Sequence, residues 1–168
     1  AETKAALRAR LLLDYTGQQR LAKNLLQAVM GRWMARDPEM VWIQGEIARL
    51  AVAMRDALGA GDVDGFGALL SEHWALNKRM DAGCTNEFID GLFADMGPYM
   101  CGGKLAGAGG GGFAIVVARD EDAAAALGEW LRERYAAAGA GIWACTIPEE
   151  GIVVEPDDGR QTMGQGRR

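Results

Sequence analysis

From Ala106 to Gly112 the chain reads Ala-Gly-Ala-Gly-Gly-Gly-Gly, with five glycines in the six positions from Gly107. No regular element tolerates that density internally, because glycine gives up more backbone freedom on ordering than any other residue. The whole glycine-dense stretch from Gly102 to Gly112 is therefore expected to be a loop. Apolar sequence on both sides, ending at Leu105 and resuming at Phe113-Ala114-Ile115-Val116-Val117, separates it from a flexible linker. Without side chains in the way, its backbone amides can converge on an anion. The stretch formally contains G-x-G-x-x-G, yet a dinucleotide-binding fingerprint opens a helix, whereas Phe113 to Ala118 has the composition of a buried strand. A Walker A loop is excluded as well, since its lysine should close the glycine run and Lys104 precedes it.

Leu11 to Tyr15 reads as a strand. Thr16 followed three residues later by Gln19 has the form of a capping box, so a helix is expected to start there, with Leu21, Leu25, Leu26 and Val29 at helical spacing to about Met34. Asp37-Pro38 restarts a helix whose apolar face is Met40, Ile43, Ile47, Leu50, Ala51, Met54 and Leu58, ended by Gly59-Ala60-Gly61. A further helix opens at Asp62 and runs to about Met80, antiparallel to the first. A shorter one is expected near Thr85 to Met96, stopped by Gly97-Pro98. After the Phe113 strand, Asp120 caps a helix through Tyr135 that Gly139-Ala140-Gly141 ends. Two short strands, Ile142 to Ile147 and Ile152 to Glu155, complete the order. Mixed helices and hairpin-like strands predict an α+β domain with helices on one face of a mainly antiparallel sheet.

With 168 residues, 49% of them apolar, the chain can bury one core of ordinary size. A formal charge of -5 argues against nucleic acid or an anionic membrane as partner, since those select clustered Lys and Arg. The basic residues Arg160, Arg167 and Arg168 sit in a polar tail from Asp157 to Arg168 that is expected to be disordered, leaving residues 1–156 as the domain. Cys84, Cys101 and Cys145 are odd in number and far apart, and the chain has one histidine, so no metal site is expected. Reduced thiols and the lack of a signal peptide or membrane span imply a cytoplasmic protein. The chain begins Ala-Glu-Thr, which fits processing or a piece cut from a longer chain. The eight methionines read as core filler.

Lys104-Leu105-Ala106-Gly107-Ala108-Gly109-Gly110-Gly111-Gly112 resembles the third conserved motif of the GHMP kinases. Leu12 to Gly17 with Arg20 to Gln27, His73 to Met80 with Gly83-Cys84-Thr85, and Gly97-Pro98-Tyr99 are similar to the L-fucokinase group within that family, so that the resemblance covers about residues 10 to 155. Asp14 departs from the pattern, which has an apolar or aromatic residue there. The resemblance implies a GHMP kinase C-terminal domain, a ferredoxin-like split βαβ sheet with additional long helices, acting in transfer of the ATP γ-phosphoryl group to a sugar hydroxyl with Mg²⁺. The family's main phosphate-binding loop and its usual acidic base belong to an N-terminal domain that this sequence does not contain. The implied partners are therefore the sugar, ATP and the N-terminal kinase domain of the same polypeptide, and the chain alone is expected to be inactive.

By the same resemblance, Gly107, Ala108, Gly109, Gly110, Gly111 and Gly112 would shape the nucleotide side of the cleft, and Tyr15, Thr16, Gly17 and Arg20 would lie near the sugar. No catalytic acid or base is assigned. Considered by themselves, Arg20 reads as a solvated or ion-paired helical arginine and Thr16 as a helix cap, a role that can coexist with ligand contact. His73, Trp74, Lys78 and Arg79 combine an aromatic face with donors, but a core tryptophan beside Leu70 and a basic helix end account for them better. A heptose-phosphate kinase of the same family is the alternative enzyme. A free-standing ligand-binding or regulatory module, or a pure interaction protein built on the long apolar helices, is the alternative outside enzymes.

Overall fold

The computed structural model describes residues 2–18, 23–135, 141–143 and 146–148. Arg20, Cys145, the Gly139-Ala140 helix stop, the strand expected at Ile152 to Glu155 and the tail from Asp157 lie outside the described residues. Four strands, β1 (Leu11–Tyr15), β2 (Met100–Leu105), β3 (Phe113–Ala118) and β4 (Gly141–Trp143), form one sheet in the order β2-β3-β1-β4 with every neighbour antiparallel. That is the split βαβ order that the family resemblance implies, with the helices α2 (Lys23–Met34), α3 (Pro38–Ala60), α4 (Val63–Met80) and α5 (Glu87–Met96) inserted between β1 and β2, and α6 (Glu121–Tyr135) between β3 and β4.

The helix ends follow local chemistry. Asp37 accepts the Met40 N–H at 2.9 Å with Pro38 in the first turn, and α3 stops where Gly61 turns left-handed at φ 79°. Asp62 then accepts the Gly65 N–H at 2.8 Å and opens α4, Asn86 accepts the Ile89 N–H at 3.0 Å to open α5, and Asp120 accepts the Ala123 N–H at 2.7 Å to open α6. Each side chain satisfies a donor that the first helical turn leaves unpaired, worth about 1 kcal/mol.

Helices cover both faces of the sheet, not one. Ile115 and Val117 of β3 pack with Leu70 and Val63 of α4, whereas Ala114 and Val116 on the opposite face pack with Leu127 and Leu131 of α6 and Ile89 and Leu92 of α5. The reason lies in β3 itself: a strand apolar at consecutive positions exposes hydrophobic surface on both sides, and each side needs a layer over it.

One helix is new and two further expectations are corrected. The chain starts with a helix, α1 (Glu2–Arg10), that apolar periodicity does not reveal because only Ala6 and Leu7 pack inward. Arg10 fastens its end by donating to the Ala118 carbonyl at 2.8 Å and to Asp64. Gly102 and Gly103 lie in a strand, β2, so the loop is confined to Ala106–Gly112. An added Cβ at Gly102 would sit 1.9 Å from the Gly67 carbonyl oxygen of α4, and one at Gly103 2.6 Å from the Ile115 carbonyl oxygen of β3, so both glycines serve close approach and not flexibility. Of the strand expected over Ile142 to Ile147, residues 146–148 are not in a strand, and the Ile147 carbonyl accepts from the Arg8 guanidinium at 3.1 Å.

Candidate functional site

β1, β2 and β3 deliver one end of the sheet to a common point. Tyr15 pairs with Phe113 as the last register position of the β1–β3 ladder, their rings 5.2 Å apart, and Leu105 pairs with Ala114 next to them. The turn after β1 and the glycine loop between β2 and β3 therefore leave the sheet side by side, which brings Tyr15, Thr16 and Gly17 against Gly112 although some 95 residues separate them. Arg20 is outside the described residues.

Thr16 joins the two segments. It is fully buried, its N–H and its hydroxyl each donate to the Gly112 carbonyl at 2.9 Å, and the Gly112 N–H donates to the Gln18 carbonyl at 2.9 Å. Of the expected capping box, Gln19 lies outside the described residues. Gly17 is left-handed at φ 71°, and the Thr16 hydroxyl that donates to the glycine loop accepts from the Gln18 N–H at 3.4 Å.

The loop is docked, not free. Its Gly110 N–H donates to the Cys84 carbonyl at 2.5 Å. An added Cβ at Gly109 would come within 2.5 Å of that same oxygen, and one at Gly111 within 2.6 Å of the Gln18 carbonyl oxygen. Both residues have positive φ, 90° and 146°, so close approach and backbone conformation demand glycine together. Asn86 braces the arrangement by donating from Nδ2 to the Gln18 side-chain oxygen at 2.8 Å while its own Oδ1 caps α5. Among the described residues the N–H groups of Gly107, Ala108 and Gly111 take no hydrogen-bond partner, which leaves part of the loop backbone available to an anion. Sequence reading passed over Gln18 and Asn86; the asparagine's capping position ahead of Glu87 was the available signal.

Two buried ionisable groups lie nearby. Asp14, one residue before the turn, is fully buried on the face of β1 that α6 covers, beside Ala114 and Ile142 in register, and neither carboxylate oxygen has a partner. Loss of solvation lifts its pKa from 3.8 to about 7. The folded chain then keeps a proton that the unfolded chain releases, so stability should fall as pH rises from about 4 to about 7 and level off above. Urea-unfolding midpoints measured across that range should lose most of this slope in Asp14→Asn; an unchanged slope would mean that the carboxyl titrates as it does in water. Lys104 is also buried, its Nζ donating to the Leu105 carbonyl at 2.6 Å, and burial pulls its pKa down. His73 feels that charge, and burial together with Lys104 holds its pKa below the usual histidine value.

Three of the four residues at the α4 end are engaged within the chain. Trp74 is buried and stacks on Phe93 at 5.7 Å, Lys78 pairs with Asp90 at 3.4 Å, and Arg79 pairs with Glu39 at 3.1 Å while covering the Trp42 ring at 4.6 Å. Among the described residues no three His, Cys, Asp or Glu side chains are grouped to hold a metal ion, and no helix is long and apolar enough to cross a membrane.

The family profile for the GHMP kinases C terminal region matches residues 54–137. The bifunctional fucokinase/GDP-fucose pyrophosphorylase of Arabidopsis thaliana is 42% identical over 127 residues, covering 76% of this chain and 12% of that protein. The L-fucokinase/L-fucose-1-P guanylyltransferase of Bacteroides fragilis is 30% identical over 143 residues, covering 85% of this chain and 15% of that protein. The chain thus spans less than a sixth of either curated relative. Among solved structures, the mevalonate kinase of L. major in complex with R-mevalonate superposes with a TM-score of 0.69 at 22% identity over 79% of this chain and 40% of that one, a likeness of fold.

Proposed function

The chain belongs to the GHMP kinases, whose C-terminal domain it forms, and from that membership we propose that it is the C-terminal part of an ATP-dependent sugar kinase of the L-fucokinase type, producing L-fucose 1-phosphate. The observation that carries the choice of sugar is the 42% identity with the Arabidopsis fucokinase across three quarters of the chain. The docked glycine loop supports the reading from the side of chemistry. A phosphoryl group carries its negative charge on peripheral oxygens, and fixed backbone donors stabilise that charge without having to reorganise as it develops.

In this reading ATP supplies the phosphoryl group, and the described residues hold one wall of the cleft. Gly107, Ala108 and Gly111 offer free amides, Gly109 and Gly110 hold the loop against Cys84, and Thr16 sets the turn that carries Tyr15 and Gly17 towards the sugar. The described residues do not fit Mg²⁺, since no carboxylate group is assembled among them. The ion's ligands and the group that takes the sugar's hydroxyl proton then come from the N-terminal kinase domain, with which this domain forms the complete site.

The test is ADP release by the full-length kinase with ATP and Mg²⁺, offered L-fucose, D-galactose and a heptose phosphate in separate reactions. Turnover on L-fucose alone is expected. Turnover on either other acceptor alone would keep the family and reassign the substrate, and the 168-residue chain by itself is expected to show none with any of them.

A further inference from the structure

Gln18 is held at every polar atom but one. Its N–H donates to the Thr16 hydroxyl oxygen at 3.4 Å, its carbonyl accepts the Gly112 N–H at 2.9 Å, and its side-chain oxygen accepts from Asn86 Nδ2 at 2.8 Å. Its Nε2 takes no hydrogen-bond partner among the described residues. The residue stands directly against the glycine loop: a Cβ built on Gly111 would lie 2.6 Å from the Gln18 carbonyl oxygen and 3.4 Å from the Gln18 Cβ. The Gly111 N–H is itself unpaired among the described residues.

Which end of the Gln18 amide stays free is settled by Asn86, through a relay of polarity that begins in α5. A backbone N–H can only donate, so the Asn86 atom 3.0 Å from the Ile89 nitrogen is Oδ1 and its other amide atom is Nδ2. An amide nitrogen in turn accepts nothing, so the Gln18 atom that Nδ2 meets is Oε1, and Nε2 is the one left over. A glutamine amide by itself can present its oxygen or its nitrogen; here the cap of α5 selects the nitrogen. A donor fixed in this way loses no rotamer freedom when an acceptor arrives. Beside a loop that offers further unpaired amides, the acceptor it suits is an anionic oxygen.

We infer that Gln18 is a substrate-binding residue, donating from Nε2 to a phosphoryl oxygen of the nucleotide, and that Asn86 is the positioning residue that keeps this nitrogen free. The inference rests on the kinase reading above and adds a side-chain donor to the backbone amides already assigned there.

Asn86→Asp in the full-length kinase is the decisive variant. Aspartate caps a helix as well as asparagine does, and its second oxygen still bonds Gln18, but only after the Gln18 amide turns over and puts Oε1 where Nε2 was. A merely structural brace tolerates that exchange, and the melting temperature should not change. The kcat/KM for ATP should fall by about 10- to 100-fold, the worth of a hydrogen bond to a charged group, while the KM for the sugar holds. The deficit relative to wild type should persist at about 1 M salt, where a screening length of about 3 Å suppresses any through-space effect of the added charge. Gln18→Glu, which still accepts from Asn86 but sets an anionic oxygen in the place of Nε2, should lose at least as much. Folded variants that keep the wild-type kcat/KM for ATP, or that raise the KM for the sugar alone, overturn the inference and leave the kinase reading standing. A wild-type kinase that turns over none of the three acceptors sinks that reading, and the inference falls with it.

Discussion

Gly102→Ala is expected to lower the melting temperature of the domain by on the order of 10 °C, more than any other single methyl group added to it. The added carbon would lie 1.9 Å from the Gly67 carbonyl oxygen and 2.5 Å from its carbon, both backbone atoms of α4 that no rotamer change can move aside. Relief requires α4 to lift from the sheet, which opens the contact between Leu70 and Val117 and strains the bond in which the Ser71 hydroxyl accepts the Gly103 N–H at 3.1 Å. Overpacking of this kind costs about 3 kcal/mol, and a domain of this size loses about 2–4 °C per kcal/mol. Gly31→Ala is the control. It adds the same carbon inside α2 where nothing lies within 4 Å, and it should hold or slightly raise the melting temperature. Equal melting temperatures for the two variants, read by calorimetry, would mean that α4 does not rest on β2 through this contact.

Gly109→Val in the full-length kinase is expected to cut turnover by about 100-fold or more, because a displacement of about 1 Å at a positioning loop is enough to do so. Valine at φ 90° is strained by its branched side chain, and its Cβ would be driven to 2.5 Å from the Cys84 carbonyl oxygen, the acceptor that holds Gly110. The loop must leave Cys84, and the amides of Gly107 and Ala108 move with it. Single-turnover kinetics with ATP and L-fucose, combined with a melting curve, separate lost positioning from lost fold. A folded variant with full activity would reduce the loop to a connection between β2 and β3.

Both substitutions exploit glycines whose density is evident in the sequence but whose purpose is not. The glycines of the loop proper, Gly107 to Gly112, were legible as a conformationally special segment because a run of left-handed positions admits little else. Gly102 and Gly103 fall in the same glycine-dense stretch, and what requires glycine there lies elsewhere in the chain, at Gly67 for Gly102 and at Ile115 for Gly103. The candidate site divides in the same manner. Tyr15, Thr16 and the glycine loop stand out in the sequence, but that Thr16 ties the loop to the turn follows only from the position of the Gly112 carbonyl. Of the two residues that brace the loop, Asn86 is marked in the sequence only as a helix cap ahead of Glu87, and Gln18 carries no pattern that marks it.

What the sequence by itself determined is the part of the structure whose causes are local. Asp37-Pro38, Gly61, Asp62 and Asp120 set helix ends within a residue of where they lie, because a cap satisfies amides two or three positions away, and the apolar run at Phe113–Ala118 settled β3. What only the tertiary structure decided depends on groups distant along the chain: the strand through Gly102, helices on both faces of the sheet, and the burial of Asp14 without a partner. Close approach and desolvation are properties of two surfaces together, and a one-dimensional pattern records only one of the two.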